Sequence, residues 1–429
     1  MTFFTSIFLI YLVYSNPING EKGSHELALI QWLRRKGGVF SPKLEIRKTD
    51  YSYGMFAKEN ISEKELLIGI PSNVKLTAER KVFEKDAMTC DTVYNLIREM
   101  RLGNDSYYAP YVNYLLSQPT GQLPSAWSNA GQNLLLSVLN GDVILPPKDP
   151  FVWSKVWENH CQGSDDPFEE NAAFIIIQRA WDDVMVPVFD FMSHRNGKFR
   201  NTESNSVFEE RIKIRASRSI RAGEEIYTSY DECEDCGGRA NNYGTPEMLR
   251  DYGFVEDYPQ KWFFHEQNTG FEIDFIYDDE GETNGDVEIS RWIWDKPDES
   301  NVNILQNELD RLAEMRKTHF EIRDENVPSH EWDNVRKYHY HLSKAMALAI
   351  TDVMGDDSAC VEKGYCKVEA GRYRSLQVEP AEIPSNEYRS CDQSLTMNFR
   401  GFDVLEDVDT LYQVRKILGI VNLIYILCR

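Results

Sequence analysis

At roughly 100–200 residues per domain, a chain of 429 residues holds two or three domains and can bury a sizeable core. Its 42% hydrophobic, 12% aromatic and 27% charged residues exclude a disordered or fibrous protein. With 47 Lys and Arg against 69 Asp and Glu, the formal net charge of −22 lacks the basic footprint of a general nucleic-acid binder; it suits a partner with local positive charge, such as a Lys-bearing peptide, or simply keeps the chain soluble.

Residues 1–20 carry no charged side chain, and Phe3 to Tyr14 is almost wholly apolar until Ser15-Asn16-Pro17 breaks it. That run is too short to span a bilayer and fits the apolar core of a signal sequence, which implies the secretory pathway or an organelle. The alternative is a buried N-terminal element of a cytoplasmic protein. Residues 25–36 have helical spacing and stop at Gly37-Gly38. Gly54–Ala57 and Leu66–Ile70 read as short strands, with a turn at Pro71-Ser72-Asn73. Residues 78–165 are mainly helical and polar, including Asp91–Leu102, Tyr107–Leu116 and the Trp-rich Phe151–Trp157, and are punctuated by Pro119, Pro124, Pro146, Pro147 and Pro150. Residues 168–181 read as a helix, followed by strands at Val184–Phe191, Val207–Ile214 and Glu224–Tyr230. Beyond about residue 256, strands are expected at 262–264, 271–277 and 287–294, then long helices at 301–322 and 330–354. The last two carry apolar stripes, Leu305, Leu309, Leu312 and Met315 on one, Tyr338, Leu342, Ala345 and Leu348 on the other. Their acidic groups (Glu308, Asp310, Glu314, Asp333) would attract a basic target segment if they faced a groove. The C-terminal run Leu418–Leu427 is about half the length of a membrane span, so stable membrane insertion is not expected.

Eight cysteines allow many pairings, and the sequence does not select one; local bridging among Cys360, Cys366 and Cys391 is plausible. Asn60-Ile61-Ser62 and Asn104-Asp105-Ser106 are glycosylation triplets, usable only in a secretory lumen. Cys233 and Cys236 are too few for a zinc site, so no metal is expected.

Four segments concentrate polar chemistry. The first is Tyr53-Gly54-Met55-Phe56-Ala57, where a glycine permits close approach of backbone to a ligand. In the second, Val186 to Gly197, a strand runs into Ser193, His194, Arg195 and Asn196. The third, Arg221 to Tyr230, places Tyr227 and Tyr230 on opposite faces of a regular strand. The fourth, Tyr243 to Phe254, is a helix capped by Gly253. Each has an ordinary reading as hairpin, core packing or cap.

In order and spacing, these four segments resemble the SET-domain methyltransferases, in particular the subgroup of the Rubisco large-subunit lysine methyltransferase. Ser106-Tyr-Tyr-Ala-Pro-Tyr111, Leu123-Pro124 and Trp127 look like that subgroup's helical insert, and the long helices after 300 are similar to its C-terminal substrate-binding domain. The resemblance implies an α+β fold: small curved β-sheets with a pseudoknot, a helical insert, and a mostly α-helical C-terminal domain. It divides the chain into a signal-like segment (1–20), the SET N-terminal part (25–80), the insert (81–167), the SET C-terminal part (168–256) and the C-terminal domain (257–429). It further implies S-adenosyl-L-methionine as cofactor, held by Tyr53, Gly54, Ser193, His194 and Tyr230, with Arg179 and Tyr252 on the substrate side. Tyr230 would act in catalysis. Ser193 departs from the family's Asn, which exchanges an amide for a short hydroxyl. The implied activity is methyl transfer to a lysine of a protein substrate, with histidine as a variant target, by a monomer. The rival reading is a catalytically degenerate SET protein that serves as a peptide-binding module.

Overall fold

A computed structural model of the chain describes residues 24–49, 53–78, 90–141, 144–231, 242–278, 281–355, 366–369 and 372–375. The signal-like segment, Cys233 and Cys236, and the run Leu418–Leu427 lie outside the described residues.

Helix α1 (Ser24–Arg35) leads into β1 (Val39–Phe40), β2 (Leu44–Lys48), β3 (Tyr53–Ala57) and β4 (Leu66–Pro71). The helical insert follows: α2 (Cys90–Leu102), α3 (Ala109–Leu116), α4 (Asn129–Leu139) and a short α5 (Val152–Lys155). A disulfide joins Cys90 at the start of α2 to Cys161, 71 residues on. Helix α6 (Pro167–Arg179) begins where Asp166 accepts the Phe168 N–H at 3.0 Å and Pro167 takes the first turn, where no N–H is needed.

Then come β5 (Ala180–Trp181), β6 (Val184–Met185), β7 (Ser193–His194), β8 (Thr202–Ser204), β9 (Arg211–Ala216) and β10 (Tyr227–Thr228). The strand expected over Val184–Phe191 stops at Met185. Pro187 lacks an N–H, and Val188 takes a left-handed backbone (φ 72°), which turns the chain into a helical turn at Phe189–Phe191. The expected strand Val207–Ile214 starts only at Arg211, because Ser206–Glu209 form a turn. The third, Glu224–Tyr230, is regular only at Tyr227–Thr228.

A four-stranded sheet of order β1-β4-β9-β8 supplies the rigid wall, with Ile68 opposite Ile214 and Ile70 opposite Ile212. These isoleucines, with Leu29, Leu33, Met55, Ile226 and residues of α2, α3 and α6, form one apolar core. Against it, β10 pairs parallel to β7, Tyr227 beside Ser193 and Thr228 beside His194.

Helix α7 (Thr245–Tyr252) ends at Gly253, whose φ of +81° and 3.0 Å bond to the Leu249 carbonyl form a left-handed cap. A second sheet, β11 (Gln260–Phe264), β12 (Thr269–Tyr277) and β13 (Thr283–Trp292), is antiparallel in that order. Helices α8 (Glu299–His319) and α9 (Ser329–Met354) pack together as the stripes require, with Leu305, Leu309, Leu312, Tyr338, Leu342 and Ala345 fully buried. They form a second core with Trp262, Phe264 and Phe271, and this core also takes in Leu135, Val138 and Leu139 of α4 and Leu249 of α7. Helices α9 and α4 are fastened at their N-terminal ends, where Glu331 accepts from Ser128 N (2.9 Å) and Ser128 Oγ (2.6 Å). Glu308 is not free to attract a target: Asn140 (2.8 Å) and Arg311 (2.8 Å) hold it.

Candidate active site

Three segments far apart in sequence meet at one place. The first is β3. Antiparallel bonds run from it to the segment before β10, with Ile226 N donating to Met55 O (2.7 Å) and Ala57 N to Glu224 O (2.9 Å). The second is β7, paired to β10 on its other side. Asn201 stitches the third segment in place: its amide donates to Glu225 O (2.8 Å) and accepts from Tyr227 N (2.8 Å).

Tyr230 sits at the centre. Its N–H donates to His194 Nδ1 at 2.9 Å, and its hydroxyl donates to the Met192 carbonyl at 2.7 Å. Its ring lies 5.1 Å from His194 and 4.9 Å from Tyr252, with Phe254 beside both partners. The phenol is pushed well above its ordinary range, chiefly by burial and by Tyr252, so it stays neutral. Because its hydrogen is committed to Met192, its lone pairs remain to accept from a ligand.

The tautomer of His194 follows from its partners. Nδ1 accepts the Tyr230 N–H, so the hydrogen is on Nε2 and points at Glu256 Oε2, 2.6 Å away. Burial opposes a charge on the ring, while the Glu256 bond and charge favour one and win, drawing the pKa up. A proton on Nδ1 would nevertheless face the Tyr230 N–H donor, so the intact geometry is that of the neutral ring.

Below the imidazole is a buried polar network. Asn196 donates to Asp231 (3.1 Å) and Glu256 (3.3 Å), Thr245 Oγ1 to Glu256 (2.5 Å), and Lys261 Nζ to Asp231 (3.3 Å). Burial raises the Glu256 carboxyl against the pull of His194. For Asp231, burial is outweighed by the Lys261 charge and the hydrogen bonds from Ser229 and Asn196, joined by the His194 charge whenever the ring is protonated, and its carboxyl is held low. The network fixes the site loop relative to β11.

Arg179 ends α6, and its guanidinium lies 3.6 Å from the fully buried Asp190 and 3.5 Å from the Tyr114 hydroxyl. Burial lifts Asp190 to about 6 even with the Arg179 charge and the Tyr111 bond pulling it down. Tyr111 also donates to Asp190, at 3.1 Å. Burial works against the Arg179 charge, but Tyr114, Asp190 and Tyr111 more than offset it, and Tyr230 adds to them. Arg179 therefore stays charged within electrostatic reach of Tyr230.

Gly54, Ser193, His194, Tyr230, Arg179 and Tyr252 are thus linked to one another, while Tyr53, next to Gly54 on β3, is partly buried against the first core. Ser193 meets a residue the motif reading passed over: its hydroxyl donates to Glu225 Oε1 at 2.5 Å, and Tyr227 donates to Glu225 Oε2 at 2.8 Å. A Cβ on Gly54 would come within 2.7 Å of the same Oε1. Tyr227 and Tyr230 do different jobs, one on Glu225 and one on Met192. Asp190, Glu225 and Glu256 lay inside or beside the segments singled out, but only the folded chain pairs them. Among the described residues, no group of His, Cys, Asp and Glu is arranged to hold a metal ion, and no helix is long and apolar enough to cross a membrane.

The SET domain family model matches residues 52–231. The chain is similar to an "N-lysine methyltransferase setd6" of Xenopus tropicalis, 24% identical over 276 residues, which is 54% of this chain and 57% of that protein. It is also similar to the protein of the same name from Salmo salar, 25% identical over 282 residues, 55% of this chain and 59% of the relative. The matched region thus spans well under two thirds of these relatives' length. Among solved structures, "Structure of Rubisco LSMT bound to AdoMet" overlaps 79% of this chain and 81% of its own at 17% identity and a TM-score of 0.43. "Crystal structure of the SET domain of LSMT bound to Lysine and AdoHcy" overlaps 80% and 82% at 15% identity and a TM-score of 0.42. The family match covers β3, β7, β10 and the whole Ser193–Asp231 arrangement described above: the chain carries a SET domain over residues 52–231.

Proposed function

We propose that the protein is an S-adenosylmethionine-dependent protein-lysine methyltransferase. The observation that carries the reading is Tyr230: a neutral phenol whose hydrogen is committed to Met192, held by His194 and flanked by Tyr252, in a domain of this family. The names of the similar proteins point the same way.

The residues fit the cofactor by the chemistry of their donors. Gly54 lets the β3 backbone approach the Glu225 carboxylate more closely than any residue with a Cβ could. The backbone of Ser193 and His194 borders the same region. When bound, the cofactor supplies an electrophilic methyl on a sulfonium that carries its own leaving group. The protein's share is therefore positioning rather than acid–base chemistry on the methyl. The Tyr230 oxygen accepts from the substrate amine and orients its lone pair. Tyr252 and Phe254 provide an apolar wall, and desolvation there together with the nearby Arg179 charge favours the neutral amine that must attack. The buried His194–Glu256 pair keeps the Tyr230 backbone in place.

Transfer of labelled methyl from S-adenosylmethionine to an array of Lys-bearing peptides tests the reading. Label on lysine is the expected result. Peptide binding without label supports the binding-module alternative, for which the Ser193 departure is the specific reason. Label on histidine instead would change the target class.

For the compartment, we propose an oxidising, glycosylating one. The Cys90–Cys161 disulfide and the exposed Asn60 and Asn104 support it. A mass shift on glycosidase treatment of protein from its native cells is expected; an unmodified chain with free thiols overturns it.

A further inference from the structure

We infer that the Glu225 carboxylate receives the α-ammonium group of the cofactor's amino-acid arm; this rests on the cofactor reading above. Glu225 is a half-buried carboxylate that accepts from the Ser193 and Tyr227 hydroxyls at 2.5 and 2.8 Å. Both are neutral donors. Among the described residues, no Lys or Arg pairs with it. The cations close by are turned elsewhere: Arg195 donates to the Tyr258 carbonyl at 3.1 Å and lies 4.0 Å over the Phe199 ring. Arg47, the register partner of Gly54, bonds Glu45 at 2.6 Å and lies over Phe56. A carboxylate offers about four acceptor positions, and two hydroxyls fill half of them. Among the described residues, no cation balances the carboxylate at this half-buried position.

Gly54 lets the backbone of β3 lie directly against this carboxylate. Its backbone is not left-handed, so no turn demands glycine there. What demands it is crowding, because a Cβ would sit 2.7 Å from Glu225 Oε1, 3.0 Å from the Phe56 ring and 3.1 Å from the Thr49 methyl. An acceptor pair with a negative charge, lying against the Gly54 backbone and pinned by two hydroxyls, suits a primary ammonium, which brings three N–H donors and the missing positive charge. On this account Ser193 acts through Glu225: its hydroxyl holds the carboxylate, a role that needs a short donor rather than an amide.

The test is calorimetric binding to the full chain of three probes: S-adenosylmethionine, S-adenosylhomocysteine, which keeps the ammonium but lacks the sulfonium, and 5′-methylthioadenosine, which lacks the amino-acid arm. Glu225→Gln should weaken the first two equally, by about 10- to 100-fold, and leave methylthioadenosine within about 2-fold. Retained affinity for both amino-acid ligands overturns the inference. So does a loss confined to S-adenosylmethionine, which would put the carboxylate at the sulfonium, and so does an equal loss for methylthioadenosine, which would mean a deformed pocket. If the Gln variant does not fold, Glu225→Asp keeps the charge on a shorter stem and should show the same pattern at about 3- to 10-fold; a flat profile there overturns it. A wild-type protein that binds none of the three would overturn the cofactor reading itself, an outcome distinct from a selective failure of the variant.

Discussion

Replacing Tyr230 by phenylalanine removes one oxygen and little else. The ring keeps its place between His194 and Tyr252, and the N–H bond to His194 Nδ1 survives because it is made by the backbone. What is lost in the resting protein is the 2.7 Å bond to the Met192 carbonyl, in a residue only 1% exposed. One orphaned buried acceptor costs about 1–3 kcal/mol of stability. In turnover, the loss is one transition-state contact, a factor of about 10², or close to 3 kcal/mol. The assay is single-turnover transfer of labelled methyl to a Lys peptide, with calorimetric cofactor affinity measured on the same preparation. Turnover should fall about 100-fold while cofactor affinity stays within about 3-fold. Wild-type turnover in the Phe variant would refute the role of the hydroxyl. Equal losses of turnover and cofactor affinity would move the effect from the oxygen to the pocket as a whole.

Glu256→Ala strips the acceptor from His194, Asn196 and Thr245 at once and should cost about 3–5 kcal/mol by chemical denaturation, whereas Glu256→Gln should cost less and shift the pH dependence of turnover. Reducing Cys90–Cys161, or Cys161→Ser, reopens a loop spanned by a sequence separation of 71 and should lower stability by about 4 kcal/mol, with the wild type matching the variant in reductant. Burial, countered in part by its bond to Leu312, holds His339 at about 4 against an ordinary 6.5. Its folded pKa is depressed and it is neutral when buried, so its contribution is present above pH 6.5 and is lost as pH falls toward 4. The wild type should lose about 2 kcal/mol more than His339→Gln between pH 7 and 5, read as the difference between their denaturation curves.

The long apolar stripes of α8 and α9, the Gly253 cap and the isoleucines of β4 and β9 were legible because one periodicity or one glycine decides each of them. The strand ends were not. Alternation from Val184 to Phe191 continues past the point where Pro187 and the left-handed Val188 end the pairing, and a backbone turn of that kind leaves no trace in hydropathy. At the site, the motif order placed Tyr230, His194 and Gly54, but nothing local says that Glu225 pins Ser193 or that Glu256 fixes the imidazole from 62 residues away. Such pairs are tertiary facts, made when parallel β7–β10 pairing brings two turns together. The Cys90–Cys161 bond is of the same kind: eight cysteines give no pairing until the fold brings the start of α2 beside the chain that follows α5.

Titration of the full chain with S-adenosylmethionine in a calorimeter bears most directly on the proposed activity. A saturable one-to-one heat, competed away by S-adenosylhomocysteine, is the expected result. No heat at about millimolar cofactor, with the protein folded by circular dichroism, would contradict a methyltransferase built on Gly54, Ser193, His194 and Tyr230.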